Sequence, residues 1–395
     1  MLRFLTAGES HGKGLVGIIE GMPSGVQINE DYINYHLSRR MKGYGRGGRM
    51  AIEADTAEIL SGVRGGYTLG SPISYIIRNR DNSNWQDIMA AGPEASTEQR
   101  VVKRPRPGHA DLPGAIKYEH DDMRNILERA SARETAARVA AGAFFRKLLD
   151  TFDIYIYSQV IALGEISCTP VTVTRENLAQ FLDRMEESQV RCADKGAESQ
   201  MVKLIDSAKE AGESLGGCFE IGVLGVPPGL GSHVSWDRKL DADLAGLLMS
   251  IPAIKALEIG DGFKNSQMPG SKVHDEIRYN ETNGMFRVTN HAGGTEGGIS
   301  NGETVWARAY MKPIPTLYKP LVSVNTSTWQ EEKADIERSD ICAVPAAAVV
   351  GEAMMAFGMA RAFLNKFSGD SVRQIKQNYS EYINYMEKVW KWGKT

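Results

Sequence analysis

The sequence predicts a protein of mixed strands and helices, and three features of its pattern carry that prediction. Short apolar runs rich in β-branched residues sit between glycine and proline turn signals, as at residues 15–19, 217–226 and 304–310. Longer stretches at 121–151 and 345–364 are dominated by alanine and other helix formers. Between these elements run segments dense in glycine or stiffened by proline, long enough to carry chemistry.

Taken in order, residues 1–25 read as a strand, a loop holding GESHG, a strand at 15–19 and a turn at 23–25. A short helix is expected over 29–41, and a strand, turn and strand over 51–77. Residues 80–100 read as polar and irregular. Over 121–151, Ala130, Ala137, Ala141, Phe145 and Leu148 recur at helical spacing, and Arg129 and Arg133, four apart, are expected on one face. A buried strand at 154–163, amphipathic helices near 176–187 and 198–211, and a strand at 217–226 follow. A helix at 240–251 ends at Pro252, which lacks the N–H a helix needs, and 260–277 is loop-like. The chain closes with a strand at 304–310, a helix at 345–364 opened by Pro345, and a polar helix ending in Trp390 and Trp392.

Composition narrows the class of partner. A length of 395 residues allows one large domain or two or three average ones, and 42% apolar with 24% charged residues is the balance of a globular protein. The net charge of −3 gives no overall attraction to a polyanion, so the basic clusters at 39–49 and 100–106 suit a small anionic ligand rather than nucleic acid. Four cysteines without CxxC spacing suggest no zinc site and fit a reduced, cytoplasmic setting. The amino-terminal apolar stretch is broken at Gly8 and Glu9, and the longest apolar run, near 343–359, contains Pro345 and Glu352, so neither a signal peptide nor a membrane span is expected.

The motif that most needs explaining is RPRPGHAD at 104–111, where two prolines fix the backbone and Gly108 turns it to present His109. Lys103, Arg104 and Arg106 are expected around that imidazole, favouring its neutral form. GESHGK is one residue short of a P-loop, which leaves Ser10 and His11 as a glycine-flanked pair able to approach a ligand. In RRMKGYGRGGRM, Arg39, Arg40, Lys42, Arg46 and Arg49 offer guanidinium forks among glycines, suited to phosphate or carboxylate. GGTEGG at 293–298 lacks the strand and helix of a dinucleotide fingerprint, although its backbone is able to lie against a flat ring. KPIPT at 312–316 is a second stiffened arm, and Arg338 and Asp340 form a candidate pair.

Together GESHG, GYGRGGRM, RPGHAD, RASARETAARVAAG, EIGDGF, HAGGTEGGIS, KPIPT and ERSDICAVPAAAVVGEA, in this order over nearly the whole chain, closely resemble the chorismate synthase family. The resemblance implies an α+β fold, a layered β-α-β-α sandwich of helix and sheet forming one compact domain over 1–395, assembled as a homotetramer. It implies a lyase of the shikimate pathway, converting 5-enolpyruvylshikimate 3-phosphate to chorismate and phosphate by 1,4-anti elimination with reduced FMN and no metal. By the family pattern His11, His109 and Asp340 are catalytic. Ser10, Arg40, Arg46, Arg49, Arg106, Arg133 and Arg338 hold the substrate's phosphate and two carboxylates. Arg129, Ala130, Ser131, Ala253, Gly297, Lys312, Pro313, Ile314, Pro315, Thr316 and Arg338 contact FMN. Pro252 departs from that pattern, which commonly has an amide side chain there, and offers only its carbonyl or its surface. Some members reduce their own flavin with NADPH; here an external flavin-reducing system is expected. An RNA-binding module and a nicotinamide-dependent oxidoreductase are disfavoured by the acidic balance and the missing dinucleotide fingerprint.

Overall fold

The computed structural model describes residues 1–47 and 55–393. Alternating burial in the first strands builds an antiparallel four-stranded sheet from β1 (Arg3–Ala7), β2 (Gly14–Glu20), β3 (Ala57–Ser61) and β4 (Ile73–Arg78), in the order β1-β2-β4-β3. Leu15, Ile19, Tyr75 and Ile77 point inward, while Leu5, Ile18 and Leu60 lie exposed on the other face. At Gly17 the Tyr75 ring passes so close that a Cβ would lie 2.1 Å from its Oη. A second antiparallel sheet contains β5 (Tyr155–Leu163), β6 (Ile166–Ser167), β7 (Gly217–Leu224), β8 (Ile254–Ile259) and β9 (Val305–Met311), in the order β8-β9-β7-β5-β6.

The principal helices are α1 (Glu30–Met41), α2 (Asp111–Tyr118), α3 (Arg124–Ala130), α4 (Thr135–Asp150), α5 (Leu178–Glu187), α6 (Lys195–Ala211), α7 (Leu240–Met249), α8 (Val344–Lys366) and α9 (Val372–Trp390). Asn29 caps α1 by accepting from the Tyr32 amide. Helices α1, α4 and α8 fill the space between the sheets, and Tyr75 Oη donates to the Ala137 carbonyl of α4 at 2.6 Å. Alanines and Gly142 let α4 and α8 approach closely: a Cβ on Gly142 would stand 2.4 Å from that of Ala353. Helix α8 is long and apolar enough to cross a membrane, but here it is a core helix with Gly351 against Phe219 and Ile221 of β7. On the outer face of the second sheet, Phe181 and Met185 of α5 cover Tyr157 and Leu224. The result is a sheet-helix-sheet-helix sandwich in one compact domain.

Two expectations change. The helical stretch at 121–151 breaks at Ser131, whose backbone is extended (ψ 140°) and whose side chain accepts from the Arg133 amide. Arg129 and Arg133 therefore do not share a face. The segment after RPRPGHAD forms α2, and β8 with the hairpins at 277–287 and 322–333 goes unread because each of these strands is only four to six residues long. Of the strand-turn-strand segment expected over 51–77, residues 51–54 lie outside the described residues.

Charge is buried at the centre of the helical layer. Glu352 of α8 accepts both forks of Arg39 at 2.7 and 2.9 Å, Arg146 at 2.5 Å, Arg191 at 3.1 Å and Ser158 Oγ at 2.6 Å. Burial alone would raise its pKa, but the three guanidinium groups outweigh burial and hold the carboxyl far below the usual range. Glu186, which also pairs with Arg39 and Arg191, is likewise drawn down to about 2. Arg39 is thus a structural cation, and Lys42 turns to Glu186 at 3.0 Å.

Glu352→Ala should lose about 3–5 kcal/mol in urea unfolding, because three arginines keep their burial and lose their shared partner. The sign of the pH effect follows from lowered folded-state pKa values. Stability from Glu352 and Glu186 is fully present above the unfolded carboxyl pKa of about 4.3 and is lost as pH falls toward 2. Unfolding midpoints measured between these limits should fall less steeply in Glu352→Gln than in the wild type.

Candidate active site

A cleft of about 1030 Å³ opens where the end of α1, the 43–47 loop, the α3–α4 junction and the start of α8 meet the two proline-stiffened arms. In the first arm the expected cations part company. Arg104 turns to Asp335 and Glu332, and Lys103 Nζ donates to the Asp121 carbonyl at 2.8 Å. Only Arg106 stays beside His109, and it is balanced: its Nε and Nη2 donate to Asp111 at 2.8 and 3.0 Å. The expectation of a cation-crowded imidazole is therefore corrected. His109 Nδ1 lies 2.6 Å from Asp111 Oδ1, so we assign the hydrogen to Nδ1 and leave Nε2 available to a ligand. Burial would raise the pKa of Asp111, yet hydrogen bonds from His109 and Arg106 hold it well below the carboxylate range.

The second imidazole is held as firmly. His11 donates its backbone N–H to Glu128 Oε2 at 2.8 Å, and its Nδ1 lies 2.8 Å from Oε1 of the same carboxylate. Its ring stacks on Trp85 with centroids 4.0 Å apart, and Arg100 covers Trp85 at 3.9 Å. His11 Nε2 is 3.9 Å from Asp81 Oδ2. Burial pushes Glu128 up, but His11 and Arg124 outweigh it and lower its pKa. Ser10 donates to the Ser131 hydroxyl at 3.2 Å, joining the GESHG loop to the α3–α4 junction.

Three guanidinium groups, those of Arg40 and Arg133 buried and that of Arg46 partly so, also line the cleft. Arg40 donates to Thr135 Oγ1 and the Ala132 carbonyl, both at 2.9 Å, with Nη1 3.5 Å from Asp55. Arg133 donates to Asp55 at 2.5 Å and to Asn79. Arg46 pairs with Asp340 at 2.9 Å, and the Gly47 amide donates to the same carboxylate at 2.6 Å. Burial is the main reason that Arg40 is pushed down to about 10. Asp55 and Asp340 oppose the shift, while Arg46 and Arg133 add to it. Arg338 does not pair with Asp340; it reaches Asp81 at 2.6 Å.

The remaining wall is less charged. Ala130, Ser131, Pro252, Ala253, Lys312, Ile314, Pro315 and Thr316 all line the cleft. Lys312 Nζ donates to the Gly108 carbonyl at 2.6 Å and Arg106 Nη1 to Thr316 Oγ1 at 2.9 Å, so the two arms are latched together. Pro313 stands in its arm without lining the cleft. Arg129 faces outward, donating to the carbonyls of Thr6 and Gly8. Gly297 sits in a turn between Thr295–Glu296 and Ile299–Ser300, away from the cleft, where the Leu240 amide at the start of α7 holds the Gly298 carbonyl at 2.9 Å. Arg49 lies outside the described residues. Among the described residues no group of acidic, histidine and cysteine side chains is arranged to hold a metal.

The family model described as Chorismate synthase matches residues 2–364. The chain is 64% identical over 394 residues to the chorismate synthase of Syntrophomonas wolfei, covering the full length of both. It is 53% identical to that of Aquifex aeolicus, covering 98% of each chain. A crystal structure of chorismate synthase superposes with a TM-score of 0.80 at 44% identity, covering 98% of this chain and 99% of the other. The chain belongs to the chorismate synthase family.

Several residues of this chorismate synthase cleft escape the sequence reading. Asp81, Trp85 and Arg100 come from the stretch read as irregular, where a lone tryptophan among polar residues was the available signal. Glu128 lies 117 residues from His11 and has no spacing that ties it to the histidine. The guanidinium groups of Arg40, Arg46 and Arg133 at one cleft make a ligand-binding test possible. Inorganic phosphate should raise the thermal midpoint of the wild type by mass action. In Arg40→Met that rise should shrink or vanish, while the unliganded midpoint stays equal or increases.

Proposed function

We propose that the protein converts 5-enolpyruvylshikimate 3-phosphate to chorismate and phosphate by 1,4-anti elimination with reduced FMN, the last step of the shikimate pathway toward aromatic amino acids. The observation that carries this reading is the convergence of Arg40, Arg46, Arg106 and Arg133 on a cleft with two carboxylate-backed imidazoles. A substrate with one phosphate and two carboxylates would complement four guanidinium groups that face one cleft.

The cleft also suits a flavin. Pro252, Ala253, Ile314 and Pro315 offer apolar surface to a flat ring, with Ser131, Lys312 and Thr316 as donors beside it. Lys312 has its pKa lowered by burial and by Lys255, so an anionic partner would stabilise its charge. Bound reduced FMN would supply negative charge as phosphate leaves and recover it as hydrogen departs, with no net oxidation. His11, held by Glu128 at Nδ1, would present a proton at Nε2 to the departing phosphate. His109 Nε2 would face the cofactor, its orientation fixed by Asp111. Asp340, positioned by Arg46 and the Gly47 amide, is the carboxylate assigned to the C6 proton. Arg338, half exposed, would reach the ligands from the rim.

Flavin reduction by a separate system fits the same picture, since GGTEGG forms a turn between two short strands and not a nucleotide-binding strand–helix junction. Exposed Leu5, Ile18 and Leu60 on the first sheet support assembly into a homotetramer, and four cysteines present as thiols support a cytoplasmic setting.

Anaerobic protein with dithionite-reduced FMN should release phosphate and form chorismate in equal amounts, and neither product should appear with oxidised FMN. His109→Ala and Asp340→Asn should keep the wild-type circular dichroism and lose most turnover. Arg46→Ala should chiefly raise KM. Glu128→Gln should lower kcat by on the order of 10²-fold, with partial recovery in Glu128→Asp.

A further inference from the structure

Two of the four thiols are single core residues, Cys218 and Cys342, but the other two meet. Cys168 Sγ and Cys192 Sγ lie 3.6 Å apart across 24 residues of sequence. Cys168 follows β6, is half-buried, and has its amide bonded to the Ile161 carbonyl at 2.9 Å. Cys192 is buried in the 188–194 turn, where its amide donates to Ser188 Oγ at 2.9 Å and its Sγ lies 3.4 Å from the Asp194 carbonyl. A disulfide bond needs about 2.05 Å between sulfurs, so two sulfurs already in contact have to approach by about 1.5 Å to form one. The pair is also asymmetric. The hydrogen bond from Cys192 draws the Cys168 thiol down, whereas that contact and burial push Cys192 up.

We propose that Cys168 and Cys192 form a thiol–disulfide exchange site that takes low-molecular-weight disulfides. The Cys168 thiolate attacks one sulfur of the small disulfide, breaking its S–S bond and releasing one thiolate. The sulfur of Cys192 then gives up its proton and attacks Cys168 Sγ, expelling the second thiolate. Two cysteine thiols are oxidised and one small disulfide is reduced to two thiols, so no other oxidant is needed.

The exchange site reaches the cleft through the same turn. The Gln189 carbonyl accepts the Tyr44 amide at 2.8 Å, and Tyr44 Oη donates to Asp206 of α6 at 2.8 Å. Tyr44 belongs to the loop that carries Arg46 and Gly47 onto Asp340. Drawing Cys192 toward Cys168 therefore shifts the support of that loop.

The test treats the full-length protein with glutathione disulfide, blocks the remaining thiols with N-ethylmaleimide, and maps the peptides. A Cys168–Cys192 cross-link is expected, with titratable thiols in denaturant falling from the four of the reduced chain to two and returning with dithiothreitol. Amide exchange in peptides covering 42–47 should lose protection on oxidation of the wild type and not of Cys168→Ser. Cys192→Ala, with its thermal midpoint recorded, serves as the second control and should form no cross-link. Four thiols still titratable after treatment, or a stable glutathione adduct on Cys168 with no cross-link, would overturn the site. A cross-link that leaves exchange at 42–47 unchanged would overturn its connection to the loop.

Discussion

A carboxylate without solvent has to be neutralised by partners that fold around it, and Glu352 meets that demand with guanidinium groups from α1, α4 and the 188–194 turn. Such a knot contributes little net stability compared with a well-packed apolar core, because desolvating four charges offsets most of their attraction. What it fixes is arrangement. Arg39 and Arg40 are consecutive in α1 and point to different sides of the helix. With Arg39 tied to Glu352, Arg40 is set against Thr135 and the Ala132 carbonyl at the floor of the cleft. The core and the anion site are thus positioned by neighbouring residues of one helix.

Within the cleft the same physics is used at a smaller scale. Each imidazole has a buried carboxylate at Nδ1, from α3 for His11 and from the start of α2 for His109, and each carboxylate also meets an arginine. The acid fixes the ring, and the imidazole together with the arginine keeps the acid ionised despite its burial. Around Arg40, Arg46 and Arg133 three guanidinium groups gather at the cleft, an arrangement that an incoming anion would complement.

The sequence shows these parts unevenly. Helix α8, the core of α4 and most strands follow from apolar period and helix propensity, and the motifs around His11, Arg46, His109 and Lys312 point to their chemistry without any structure. Partners are harder to read than motifs. Glu128 and Asp81 act across long sequence separations, and a carboxylate in a helix or an irregular stretch looks the same whether it faces water or an imidazole. The break at Ser131 was hidden for a similar reason: alanine-rich flanks favour helix on both sides, and one hydroxyl accepting from an amide two residues on is enough to interrupt it. Arg129 and Gly297, carried into the site by family pattern, lie away from the cleft because neighbouring backbone holds them elsewhere.

The two latched arms have a thermodynamic consequence. Four prolines, at 105, 107, 313 and 315, restrict the backbone before folding begins, and the bonds from Lys312 to Gly108 and from Arg106 to Thr316 remove much of the freedom that remains. A wall held in place by its own bonds loses little conformational entropy when a ligand settles on it. More of the interaction energy along that wall is therefore retained as affinity.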